Sequence, residues 1–235
     1  MSNKLILLRH GESEWNFENR FTGWTDVNLT DKGKKEAKKA GNFLNTNKIN
    51  IDIAYSSYLK RAINTAKICI NQLEKGNIEV NYDWRLNERH YGDLQGLNKT
   101  ETSKRFGEEQ VMAWRRSYDI APPSMSKDDK RHPIHDKLYA KIDPKDLPNG
   151  ESLKDTILRV NPFWLRKITP LIKKKKDVLI VAHGNSIRGI VKMLKNISDS
   201  DIIKLNIPTG MPYVFELSSE FKIFNDYYIN QRTKQ

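Results

Sequence analysis

One cysteine, Cys69, in 235 residues excludes an internal disulfide framework and a multi-cysteine zinc site, and fits a reducing compartment. No apolar run approaches the roughly 20 residues that a membrane-spanning helix needs. The N-terminus offers only Leu5 to Leu8, too short for the apolar region of an export signal. A cytoplasmic protein with no membrane partner is expected. Internal repeats and low-complexity segments are also lacking. Acidic residues are outnumbered, 29 Asp and Glu against 41 Lys and Arg, for a net charge of +12. That excess suits nucleic acid, a membrane surface or small phosphorylated substrates, and charge alone does not choose among them. Trp114-Arg115-Arg116 sets a cation pair beside an aromatic, yet no RNA-recognition, KH or helix-turn-helix signature accompanies it, so no nucleic-acid partner is expected. The run Lys173 to Lys176 reads as a solvated helix end, and Cys69, among helix-spaced apolar residues, as a buried inert thiol.

A hydrophobic content of 37% supports a real core. Leu5 to Leu8 and Val178 to Ala182 are fully apolar runs that stop abruptly at Arg9-His10 and at His183, the pattern of buried strands delivering loops at their C-terminal ends. Ile51 to Tyr55 reads as a third strand. Ala37, Ala40 and Leu44 follow helical spacing after Thr30, as do Leu59, Ala62, Ile63, Ala66, Ile70 and Leu73 after Ser57. This alternation predicts an α/β fold: a single domain over 1–235 with a mainly parallel central sheet flanked by helices. The stretch 117–150, with five prolines and little periodicity, should be a long irregular excursion of the kind that serves as a binding loop. A helix resumes near Glu151, and Pro162 should kink or break it.

Arg9-His10-Gly11-Glu12 at a strand end suits phosphoryl transfer, with imidazole as nucleophile and guanidinium holding equatorial phosphate oxygens. Gly11 should let backbone N–H groups approach the anion. His183-Gly184-Asn185 ends the other strand, and a second histidine converging on the same pocket could stabilise charge on the group in flight. Metal ligation is the rival use of two histidines. No Asp, Glu or Cys stands at familiar metal spacing and the neighbouring cations repel a metal, so no metal is expected. Arg61, near a helix N-terminus, could add a phosphate contact, and Glu88, in Leu86 to Gly92, could move a hydroxyl proton. A surface arginine and an ordinary ion-pair partner are the plainer readings of those two residues.

These residues resemble the histidine phosphatase superfamily and, within it, the cofactor-dependent phosphoglycerate mutases. LLRHGESEWNFENRFTGWTDVNLTDKG at 7–33 is similar to that subfamily over its whole length. YSSYLKRAINTA, RLNERHYGDLQGLNK, WRRSYDIAPP, GESLKDTILRVNPFW, AHGNSIRG and LNIPTGMPYVFEL follow in family order, so the resemblance runs to about Tyr228. It implies interconversion of 3-phosphoglycerate and 2-phosphoglycerate, primed by 2,3-bisphosphoglycerate. His10 is then the phosphorylated nucleophile and Glu88 the proton donor and acceptor, with Arg9, Arg61 and His183 completing the phosphate pocket. Ser13, Asn16, Thr22, Gly23, Gly184 and Asn185 fall where the family meets substrate phosphate or backbone. Arg89, Tyr91, Lys99, Arg115 and Arg116 fall where it binds the second anionic group. Small phosphorylated three-carbon acids, a homodimer or homotetramer, and a flexible tail over 229–235 able to close over the pocket are implied as well. A bisphosphoglycerate mutase or phosphatase of the same superfamily is the alternative. An anion-binding module without turnover is the rival from another class.

Overall fold

The computed structural model describes residues 3–74 and 78–230. In chain order its elements are β1 (Asn3–Arg9), α1 (Glu14–Phe17), α2 (Asp31–Thr46), β2 (Ile53–Ser56), α3 (Lys60–Ile70), β3 (Val80–Tyr82), α4 (Lys99–Phe106), α5 (Glu108–Arg116), α6 (Leu153–Phe163), α7 (Thr169–Lys173), β4 (Val178–Ala182), α8 (Gly184–Lys195), β5 (Pro212–Leu217) and β6 (Ile223–Tyr228). The strands form one sheet in the order β3-β2-β4-β1-β5-β6. The β3/β2, β2/β4 and β4/β1 pairs are parallel, whereas β1/β5 and β5/β6 are antiparallel. The sheet is therefore mixed and mainly parallel, and its C-terminal hairpin carries the antiparallel pairs. That hairpin and the three-residue β3 are too short or too polar to announce themselves as apolar runs.

The two apolar runs are continuous because both faces of the sheet are covered. Leu5 and Leu7 pack with Val160, Phe163, Ile187 and Ile190 from α6 and α8 on one face. Ile6 and Leu8 point the other way, into Ala40, Leu44, Ala66 and Cys69 of α2 and α3. Cys69 is fully buried in that layer, which pushes its thiol up to about 12 and leaves it unreactive. Thr30 caps α2 by accepting from Gly33 N, and a Ser152/Asp155 capping box starts α6. Lys173 to Lys176 are exposed at the end of α7.

Pro162 neither breaks nor ends its helix. A π-helical turn, Trp164–Ile168, follows two residues later and joins α6 to α7 in one rod. The wider turn takes up the disruption around a residue that lacks an N–H. The excursion is irregular, as expected, with short 3₁₀ turns at Pro133–His135, Lys137–Tyr139 and Pro144–Asp146. Of the expected tail, Ile229 is fully buried and donates its N–H to Pro212 O, whereas 231–235 lie outside the described residues. Among the described residues no helix is long and apolar enough to cross a membrane.

Candidate active site

The parallel register of β1 and β4 pairs Arg9 with Ala182, so the residues that follow, His10 and His183, leave adjacent strands side by side. Their ring centroids are 4.9 Å apart. The two motifs that stand 173 positions apart in the chain thus meet because their strands are neighbours. His10 Nδ1 lies 2.7 Å from Gly11 O, which accepts its proton, and Nε2 is left with the lone pair. His183 Nε2 contacts Ser57 Oγ at 2.8 Å.

Gly11 packs backbone on backbone. Its N–H donates to Thr65 Oγ1 at 3.1 Å, and a Cβ there would stand 2.2 Å from Gly33 O. The glycine allows the loop after β1 to press on the start of α2, and its N–H is already engaged.

Arg61, in the first turn of α3, donates Nη1 to Thr25 O at 2.9 Å and Nη2 to Gly23 O at 2.7 Å. Its buried Nε has no partner within the described residues, and neither does the Nε of Arg9. Burial lowers both guanidinium pKa values, that of Arg61 to about 10, so both remain cations at neutral pH. Two unpaired charged donors beside an imidazole lone pair suit an anion with several oxygens.

Glu88 closes the other side. Its Oε1 accepts from the backbone N–H groups of Arg89 at 2.8 Å and Asn185 at 3.0 Å, which fixes the carboxylate at the start of α8. A Cβ on Gly184 would lie 3.6 Å from both the Arg9 guanidinium and Glu88 Oε2, an ordinary contact, so the start of α8 runs directly against both groups. The Glu88 carbonyl accepts from Trp24 Nε1 at 2.6 Å and Arg159 Nη2 at 3.1 Å. Arg159 in turn forms a buried, forked pair with Glu151, at 2.6 and 2.8 Å, and Glu151 Oε2 also accepts from His90 N. This clamp escaped sequence reasoning. Breaking a buried forked pair costs about 3–5 kcal/mol. Glu151→Gln is accordingly expected to lower the thermal midpoint by roughly 6–20 °C in a chain of this size, as read by calorimetry; an unchanged midpoint would remove the clamp's structural role.

One cleft collects these groups. Arg9, Arg20, Arg61, Lys99, Arg115, Arg116 and Arg188 line it, against Glu88 as the one carboxylate among the described lining residues. His10, Asn16, Thr22, Gly23, Tyr91, Gly184 and Asn185 line it too, as anticipated. Burial lowers the pKa values of Lys99 and Arg115. Tyr91 goes the opposite way from burial: desolvation raises it, but the Arg89 guanidinium, stacked 4.7 Å from its ring and donating to its hydroxyl, brings it down.

Three anticipated residues, Arg89, Ser13 and His183, are not on the wall. Arg89 is fully buried behind Tyr91 and donates to Arg115 O at 2.7 Å, so it supports the cationic side instead of lining it. Ser13 caps α1 and shares a capping box with Asn16, which does reach the cleft. His183 sits behind His10, against Ser57. Four lining residues, Arg20, Arg188, Asn206 and Ile207, were not anticipated. The first two stand inside the motifs ENRFTGW and AHGNSIRG, where their neighbours drew attention and they did not. Among the described residues no three His, Cys, Asp or Glu side chains converge on a cation site.

His10, His90 and His183 are all held below their ordinary value by burial. For His10 and His183 the guanidinium of Arg61 adds to this; for His90, which falls to about 3, it is the neighbouring His132. The unfolded chain takes up protons at these sites near pH 6.5 while the folded chain does not, so stability falls as pH drops below about 6.5. With three such groups the slope near pH 5 approaches roughly 4 kcal/mol per pH unit. A thermal midpoint that declines steeply between pH 6.5 and 5 is expected, and a flat profile there would contradict neutral burial of these rings.

The sequence profile of the Histidine phosphatase superfamily (branch 1) matches residues 5–229. A Bacteroides fragilis protein named 2,3-bisphosphoglycerate-dependent phosphoglycerate mutase is 56% identical over 226 residues, 96% of this chain and 91% of its own. A Parabacteroides distasonis protein of the same name is 53% identical over 225 residues, with the same coverage of 96% and 91%. Mycobacterial glucosyl-3-phosphoglycerate phosphatase superposes with a TM-score of 0.71 at 23% identity over 97% of each chain, a likeness of fold.

Proposed function

The chain belongs to the histidine phosphatase superfamily, and we propose that it interconverts 3-phosphoglycerate and 2-phosphoglycerate through a phosphohistidine at His10. The observation that carries this reading is one cleft with two groups of cations: Arg9 and Arg61 beside His10, and Lys99 and Arg115 near Tyr91, with Arg116 next to Arg115 on the same lining. A phosphatase needs one anion site. An isomerase has to keep both anionic ends of a diphosphate bound while it reorients, and two groups of cations provide for that. The names of the Bacteroides and Parabacteroides relatives support the same choice over the phosphatase alternative.

The two unpaired guanidinium Nε atoms fit a bound diphosphate, and 2,3-bisphosphoglycerate supplies the priming phosphoryl group. His10 Nε2 takes up the phosphoryl group as the P–O bond breaks, while the neutral ring stays oriented by its bond to Gly11 O. Arg9 and Arg61 hold the equatorial oxygens and His183 adds a donor beside them, in a site where fixed charges need no reorganisation. Glu88 accepts the proton of the attacking substrate hydroxyl and returns it in the reverse direction. Assembly into a homodimer or homotetramer and a cytoplasmic setting belong to the same proposal.

A coupled assay of 3-phosphoglycerate conversion, run in EDTA with and without trace 2,3-bisphosphoglycerate, tests it. Activity that rises with the trace diphosphate and is indifferent to EDTA is expected. Slow phosphate release alone would reassign the cleft to a phosphatase.

A further inference from the structure

Asn185 has an amide whose direction matters, since its oxygen repels an anionic substrate and its NH₂ binds one. Nδ2 donates to the Tyr91 hydroxyl at 3.3 Å, and Oδ1 accepts from Arg188 Nη1 at 2.9 Å. Arginine carries donors only, so the amide atom facing it has to be the oxygen, and the NH₂ is thereby turned toward Tyr91 and the cleft. Arg188 is pinned in its turn. Its Nη2 donates to Ile202 O at 2.7 Å and to Arg116 O at 3.3 Å, tying the end of α5 to α8. It is 3% exposed, and burial together with nearby Arg89 and Arg116 lowers its pKa only to about 10, so its charge persists at neutral pH.

We infer that Arg188 is a positioning residue for substrate specificity: it fixes Asn185 as a donor and registers that donor against the backbone of Arg116, on the side of the cleft that meets the second anionic group. The inference rests on the mutase reading for a substrate with two anionic ends. Inorganic phosphate, with one end, needs only the groups around Arg9 and Arg61. Arg188 therefore discriminates between the two anions, which a merely structural arginine would not.

The test is calorimetric titration of 3-phosphoglycerate and of inorganic phosphate into protein carrying His10→Ala, which keeps the cleft and does not turn over. Adding Arg188→Met should weaken 3-phosphoglycerate binding about 10- to 100-fold, the range for losing charge-assisted hydrogen bonds, and change phosphate binding by less than about threefold. Combined with Asn185→Ala, the losses should not add, because both substitutions remove the same donor. Arg188→Lys repeats the cycle with the charge retained, should the methionine variant not fold. Equal weakening of both anions, or additive losses, would overturn the inference. A failure of the mutase reading would show separately, as absent isomerisation by the unaltered protein.

Discussion

Replacing His10 with alanine is expected to lower turnover by at least about 10⁴-fold, the scale on which removal of a covalent nucleophile acts. The residue is placed for that role by geometry that survives without it. Arg9, Arg61 and His183 are held by their own strand, helix and partners, so the variant should fold and still bind phosphate. His10 is 2% exposed and its burial keeps the ring neutral, which gives Nε2 its lone pair across the physiological range. The acid-labile phosphoryl label that forms on the unaltered protein should disappear in the variant. Kinetics comparable to the unaltered enzyme would take the nucleophile away from His10, whatever the cleft binds.

Glu88→Gln should slow phosphoryl transfer to and from the substrate hydroxyl by about 10²- to 10⁴-fold. The substitution is close to isosteric, and the amide oxygen can still accept from Arg89 N and Asn185 N, so the loop and the start of α8 keep their anchor. What is lost is a group able to take a proton. Rapid-quench measurement of single transfers separates the two expectations. The phosphoenzyme should persist longer in the presence of 3-phosphoglycerate while the thermal midpoint stays near that of the parent. Normal transfer rates would move the proton to another group, and a large fall in stability would make Glu88 structural first.

The legible part of this fold is the part with continuous apolar patterning. Leu5 to Leu8 and Val178 to Ala182 announce buried strands, and the abrupt polar motifs after them announce the site. That these strands are neighbours is a matter of sheet order, which periodicity does not encode; the two histidines met in one pocket only once the register was known. Pairings distant in sequence were invisible for the same reason. Glu151 and Arg159 drew no reading of their own, yet their pair secures the backbone at Asn87 and Glu88, more than sixty residues upstream. Arg188 went unnoticed inside AHGNSIRG because nothing local distinguishes an arginine that faces Asn185 from one that faces water. Gly11 was legible as a necessary glycine, but the backbone that a side chain there would meet, Gly33, lies outside the motif and was not. Pro162 shows the limit of a local rule, since a π-helical turn two residues on keeps the rod continuous. The excess of basic residues is accounted for only in part by the cleft, and its remainder lies on exposed helix faces such as Lys34, Lys35, Lys38 and Lys39 of α2.

The most direct test is a chase. Protein labelled from 2,3-bisphosphoglycerate carrying a radioactive phosphoryl group is freed of donor and mixed with unlabelled 3-phosphoglycerate, and the label is followed. Transfer through His10 predicts that the label leaves the protein into phosphorylated three-carbon acids, faster than it appears as inorganic phosphate. Label that goes to inorganic phosphate alone, or a protein that never takes it up while isomerisation proceeds, would contradict the phosphohistidine mutase.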